Sequence, residues 1–171
     1  VGGSLSVTPA ALTVTANNAT KVYGSANPAF SASYNGFVLG ADATVLAGTL
    51  AFTTAATASS PVGSYAITPS GLSSTNYTIS YVDGSLSVTA AALTVTANNA
   101  TKVYGSANPA FSASYSGFQA GDDAADLTGT LSFATAATDS SAVGSYSVTP
   151  SGLSSTNYVI SYVDGALSVT V

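Results

Sequence analysis

Tyr77-Thr-Ile-Ser-Tyr-Val-Asp-Gly-Ser-Leu-Ser-Val-Thr89 decides how this chain is read. Apolar residues fall at every second position: Tyr77, Ile79 and Tyr81 before Asp83-Gly84, then Leu86 and Val88 after it. Successive side chains of an extended backbone point to opposite faces, so the pattern predicts strands with one buried face. Asp-Gly between two alternating runs predicts a hairpin, because a type I′ turn needs positive φ at both central residues. The same alternation runs upstream through Leu12, Val14 and Ala16, then Phe30, Ala32 and Tyr34, then Leu50 and Phe52, then Tyr65 and Ile67. Asn35-Gly36 and Pro69-Ser-Gly71 predict further turns, and Gly40 to Leu46 is the one stretch suited to a helical turn. The reading is all-β, with about six strands in each repeat.

The deciding stretch occurs twice. It returns at Tyr158 to Thr170, with Val159 and Ala166 in place of Thr78 and Ser85, and Asp164-Gly165 repeats the turn signal. Residues 10–90 slide onto 91–171 without a gap, and 65 of the 81 positions are identical. Internal repetition of this kind sets the domain organisation before any other signal. Val1-Gly-Gly-Ser-Leu-Ser-Val-Thr8 also matches Val82 to Thr89 apart from Gly2. The expected organisation is therefore residues 1–9 as the C-terminal strand of a preceding repeat, 10–90 as repeat one and 91–171 as repeat two, the parent protein continuing on the N-terminal side. A closing strand without its own domain could pair with a sheet edge on another copy, and head-to-tail repetition of that contact would give a fibre.

Ala90-Ala-Ala92 joins the repeats with no Gly/Ser- or Pro-rich linker, which leaves neighbouring domains little freedom. At the earlier junction Pro9 stands where Ala90 does and stiffens the chain. Strands of about ten residues at roughly 3.3 Å each make one domain on the order of 35 Å long. The expected architecture is two small β-sandwich (immunoglobulin-like) domains end to end. An open, grasp-like sheet with one short helical turn is the alternative.

Composition narrows the chemistry. Two residues are basic, seven are acidic and all Asp, and Glu, Arg, His, Cys, Met and Trp are absent. Without His or Cys there is no thiol nucleophile, disulfide, zinc finger or Ser-His-Asp triad. Two Lys cannot neutralise a run of phosphates, so nucleic acid is excluded as a partner. No apolar run reaches the roughly 18 residues of a membrane-spanning helix, and the chain does not open on a signal-peptide pattern. An apolar, nearly uncharged chain with ten Tyr and six Phe folds rather than staying disordered.

Four sets of residues carry candidate chemistry. Lys21 and Lys102 are the only cations. An isopeptide bond to Asn17, Asn18, Asn27, Asn76 or Asp83 would need a buried, deprotonated amine and an assisting acid, and no Glu exists to assist. The plainer reading is a lysine that keeps a strand edge soluble. Asp122, Asp123 and Asp126 cluster where the first repeat has Ala41, Asp42 and Val45. Calcium needs six or more oxygens from several directions, so a solvated loop is the stronger reading, as is the turn role for Asp83 and Asp164. Tyr23, Tyr34, Tyr65, Tyr77 and Tyr81 recur as Tyr104, Tyr115, Tyr146, Tyr158 and Tyr162. A sugar platform competes there with core packing that leaves the hydroxyl at the rim, and the alternation favours packing. Asn18-Ala-Thr20, Asn99-Ala-Thr101 and Asn76-Tyr-Thr78 fit the N-glycosylation triplet, a chance pattern in so Asn- and Thr-rich a chain. With no phosphate loop and no paired carboxylates, the chain reads as non-enzymatic, with no catalytic, cofactor-binding or metal residues.

Lys21-Val-Tyr-Gly24 with Pro28, Gly63-Ser-Tyr65 and Asn76 to Thr89, repeated as Lys102-Val-Tyr-Gly105 with Pro109, Gly144-Ser-Tyr146 and Asn157 to Thr170, resembles the MBG ("mostly beta, glycine-rich") repeats of large bacterial surface adhesins. The resemblance covers both repeats almost entirely. It implies an extracellular or cell-surface location and a stalk or spacer that projects other domains of an adhesin or filament. It brings no ligand-binding residues. Expected partners are neighbouring repeats, or copies in a filament. The alternative function is a module that binds carbohydrate or a host protein.

Overall fold

A computed structural model describes residues 2–119 and 121–171; Val1, which opens the expected remnant strand, lies outside them. The chain divides between Thr89 and Ala90 into two compact units. The first contains β1 (Ala10–Ala16), β2 (Ala19–Val22), β3 (Ala32–Asn35), a 3-10 turn (Ala43–Val45), β4 (Ala47–Thr53), β5 (Gly63–Ser73), β6 (Tyr77–Val82) and β7 (Gly84–Thr89). The second repeats it with β8 (Ala91–Ala97), β9 (Ala100–Val103), β10 (Ala113–Ser116), a turn at Ala124–Asp126, β11 (Thr128–Ala134), β12 (Gly144–Ser154), β13 (Tyr158–Val163) and β14 (Gly165–Thr170). The first short turn falls within Gly40 to Leu46, and the second stands at the matching place in the other repeat. Seven strands per unit, rather than six, follow from β2, whose four residues centre on a lysine and carry no apolar stripe.

Each unit has two sheets, ordered β3-β1-β6 and β2-β7-β5-β4, with β10-β8-β13 and β9-β14-β12-β11 as their copies. The predicted stripes face inward. Leu12, Val14 and Ala16 of β1, Ile67 of β5, and Leu86 and Val88 of β7 are buried. Each large apolar side chain contributes about 1.5–3 kcal/mol on burial, so these few rows supply most of the drive to fold a small unit. Phe30 and Phe52 meet edge-on at 6.0 Å beside Ala16, Ile67 and Leu86. A second aromatic group centres on Phe37, at 5.7 Å from Tyr34 and 5.5 Å from Tyr77.

The strand directions depart from the all-antiparallel immunoglobulin pattern. β1 runs parallel to β6, from Ala10 opposite Tyr77 to Thr15 opposite Val82. β2 runs parallel to β7, from Ala19 opposite Leu86 to Val22 opposite Thr89. The offset between partners is the same in both ladders. Residues 10–22 and 77–89 therefore form one in-register parallel ribbon, bent so that its first half lies in one sheet and its second half in the other. The predicted Asp83-Gly84 hairpin does not form: β6 and β7 are in different sheets, and neither residue has positive φ. Gly84 is needed for close approach. A Cβ there would stand 2.5 Å from the carbonyl oxygen of Ala16 and 2.9 Å from its carbon. The Asn18 side-chain oxygen accepts from the Ser85 N–H at 2.8 Å, tying the two bends together. Gly165 and Asn99 repeat the arrangement, with 2.4 Å to Ala97 O and 2.8 Å to Ala166 N.

Pro69-Ser-Gly71 is not a turn either. It lies within β5, which pairs with β7 through Ile67 and with β4 from Thr68 onward. The register to β4 shifts between Gly48 and Ala51. There Gly48 and Gly71, both at positive φ, let the two backbones come closer than any side chain allows. Residues 2–9 carry no strand, and Leu5 and Val7 are 90% and 86% exposed, whereas their copies Leu86 and Val88 are buried. β7 itself is an interior strand between β2 and β5, not an edge.

Gly84→Ala is expected to destabilise the first unit by about 1–3 kcal/mol, because backbone on the facing strand cannot yield to the added carbon. Urea unfolding should show the loss in one unit and leave the other, where Gly165 is intact, unchanged. An unaltered first transition would refute this account of the bend.

Candidate functional site

Lys21 sits at the inward position of β2 and is 7% exposed, as is Lys102 on β9. A buried ammonium must be hydrogen-bonded to offset its lost hydration. The Lys21 Nζ donates to the carbonyl of Ser25 at 3.1 Å and to that of Thr57, and Lys102 donates to Ser106 O at 3.1 Å and Thr138 O at 2.6 Å. The lysine thus fastens the loop between β4 and β5 to β2. The soluble-edge reading gives way to a buried clamp.

Three of the amides proposed as crosslink partners, Asn17, Asn18 and Asn27, are engaged elsewhere. Asn17 bonds Ser31 and Ser33 at 2.9 and 2.7 Å, Asn18 bonds Ser85, and Asn27 donates to Ala56 O at 2.7 Å. Asn27 therefore ends one residue from the lysine's acceptor Thr57. Its own side-chain oxygen is buried without a hydrogen-bond partner, and Asn108 repeats this. The joint recurrence of Lys21 with Asn27 and of Lys102 with Asn108, at one spacing, was the signal for this pair of clamps. Asn18 and Asn99, the first residues of two glycosylation triplets, place their amide oxygens inside the bend.

Of the clustered Asp of the second repeat, Asp123 and Asp126 act within their loop and Asp122 reaches β13. Asp123 accepts from Ala125 N at 2.7 Å, and Asp126 accepts from Asp123 N at 2.8 Å, a reciprocal cap on the 3-10 turn. Asp122 accepts from the Tyr158 hydroxyl at 2.6 Å. In the first repeat Asp42 caps alone, accepting from Thr44 N at 2.9 Å and the Thr44 hydroxyl at 2.5 Å. These bonds, the hydroxyl's foremost, hold the Asp42 carboxyl below its ordinary value, with slight desolvation opposing. Asp164 accepts from the Ser147 hydroxyl at 2.6 Å. Among the described residues, no three side chains of the metal-binding types gather.

The tyrosines do not form a platform. Tyr23, Tyr77 and Tyr158 are buried, whereas Tyr104, the copy of Tyr23, is 57% exposed. The Tyr65 and Tyr146 hydroxyls donate to Pro61 O and Ala142 O, each at 2.9 Å. The Tyr77 hydroxyl accepts from Val38 N at 3.2 Å, and Tyr34 packs on Phe37. Tyr81 does something the alternation could not reveal. Its hydroxyl accepts from Leu72 N at 2.8 Å and donates to Leu72 O at 3.0 Å, standing in for a strand where β7 no longer flanks β5. Tyr162 does the same to Leu153 at 2.8 and 2.9 Å. In the first unit an open groove of about 390 Å³, lined by Pro9, Val38, Leu39, Val45 and Tyr77 among others, contains no charged residue.

A family model described as MBG domain (YGX type) matches residues 12–87 and again residues 93–168, spans that include Tyr23-Gly24 and Tyr104-Gly105. No curated protein matches the chain.

Lys21→Met keeps the apolar stem but leaves two carbonyls without their donor. The expected cost is about 1–3 kcal/mol in the first unit, read as a lower urea midpoint, with Lys102→Met doing the same to the second. An unchanged midpoint would restore the exposed reading. Asp42 gives a separate test on acid titration. Because its folded value is depressed, the cap's contribution is present above the unfolded-state value and is lost as pH falls through the folded one. In an NMR titration the Asp42 midpoint should lie below that of the urea-unfolded chain, with the Thr44 amide reporting the same step; coincident midpoints would contradict the cap.

Proposed function

The chain belongs to the MBG domain family, YGX type, through two consecutive copies, and from that premise we propose that it is a structural stalk or spacer segment of a secreted or cell-surface bacterial adhesin or filament. The supporting observation is seamless duplication. Two repeats of near-identical sequence follow one another with only Ala90 between the last strand of one and the first of the next. A spacer gains from added copies even when they bring no new surface chemistry. Gly3 to Thr8 spells β7 letter for letter, and we read it as the closing strand of a preceding repeat.

The polar side chains fit the same reading. The lysines, the bend asparagines, the capping aspartates and most tyrosines are held in bonds that build the repeat itself. The reading is non-catalytic, and its work is to set distance. Small-angle scattering on chains of two and four repeats tests it. The longest dimension should grow by a constant step, on the order of 35 Å per repeat. A compact four-repeat profile would defeat the spacer, and selective glycan binding by a single repeat would favour a carbohydrate-binding module instead.

A further inference from the structure

We propose that the bent parallel ribbon is a mechanical clamp: each repeat bears tension between its two ends by loading both parallel ladders along their length at once. The proposal rests on the stalk reading and deepens it.

Tension along the chain enters the first unit at Ala10 and leaves at Thr89, the outer ends of β1 and β7. Because the ribbon is parallel and in register, Ala10 lies opposite Tyr77 at one end and Thr89 lies opposite Val22 at the other. The two points of attachment are therefore at opposite ends of the same ribbon, and the pull runs along the strands. To separate, residues 10–22 must slide past 77–89, which strains the rungs of both ladders together. An antiparallel hairpin pulled at its paired ends opens one rung at a time, and each rung then meets the whole force alone.

Three further features oppose sliding. Backbone bonds close both ends, Ala10 N to Asn76 O at 2.9 Å and Tyr23 N to Thr89 O at 2.8 Å. At the bend, Gly84 seated against Ala16 O and the Asn18–Ser85 bond key one strand to the other, so that slippage by one residue drives a side chain into backbone. The buried Lys21 ammonium then ties β2 to the β4–β5 loop through Thr57 O. The second unit repeats the device with residues 91–103 against 158–170, closed by Ala91 N to Asn157 O at 3.0 Å and Tyr104 N to Thr170 O at 2.9 Å.

Single-molecule pulling on the full chain from its two termini tests this, since forced unfolding reads the barrier along the pulling direction. The expected trace has two peaks of similar force, each releasing roughly 250 Å of chain. As an internal comparison, Ala47→Cys with Ser73→Cys attaches the handles at the paired ends of the antiparallel β4–β5 ladder, in a chain with no other cysteine. That geometry should yield at a several-fold lower force. Asn18→Ala should lower one terminal-pull peak and leave the other, where Asn99 is intact, in place. Terminal-pull peaks no higher than the β4–β5 opening force would overturn the clamp, and so would an Asn18→Ala trace identical to the parent's. Neither outcome bears on whether the chain lengthens by a constant step per repeat, so the spacer reading is tested separately.

Discussion

The structure depends on a steric fact at one place in each repeat: two strands change sheets side by side, and at the crossing there is no room for a side chain. Gly84 sits where a Cβ would overlap the carbonyl of Ala16, and Asn18 reaches across to the Ser85 amide. Because the offset between partners is the same before and after the bend, the ribbon turns without losing its register. Everything else is arranged around it. β3 borders the first half, while β5 and then β4 extend the second, and the inward rows of both halves close on one apolar interior.

Much of this was legible from residue type and spacing. The period-two stripes named Leu12, Val14, Ile67, Leu86 and Val88 as interior, and all five are buried. The short helical turns fell where expected. What alternation cannot reveal is which strand lies beside which, because a stripe records a face and not a neighbour. Asp83-Gly84 carries the local chemistry of a hairpin, yet the glycine was required by the carbonyl of Ala16, on the first strand of the repeat. Pro69-Ser-Gly71 misled in the same way. The proline lies near the point where β5 exchanges one neighbour for another, and Gly71 serves a bulge against Gly48. β2 escaped notice because its inward residue is a lysine, which hydropathy counts as surface.

The candidate sites show why a chain so poor in charge still retains particular polar residues. Lys21 and Lys102 are buried donors for main-chain carbonyls, a use the sequence hinted at only by their shared position. Asp122, Asp123 and Asp126 have no acidic counterparts in the first repeat except Asp42, and the function that Asp42 and Asp123 share is the cap on the short turn. The repeats diverge most here, from Val38 to Ala47 against Gln119 to Thr128, while the bend, the clamp lysine and the inward rows are unchanged or conservatively replaced. Local bonding in the cap accommodates such variation without disturbing the ribbon.

The tyrosine that closes the flank of β5 has a consequence for life in a crowd. A sheet margin with bare amides and carbonyls is a template on which another chain can add a strand, and near-identical copies at high density are the most dangerous visitors. By occupying both the N–H and the C=O of Leu72, the Tyr81 hydroxyl removes one such template within each fold, as Tyr162 does at Leu153. The same small group that satisfies the backbone of β5 therefore also guards against aggregation, without spending a charge that this sequence scarcely possesses.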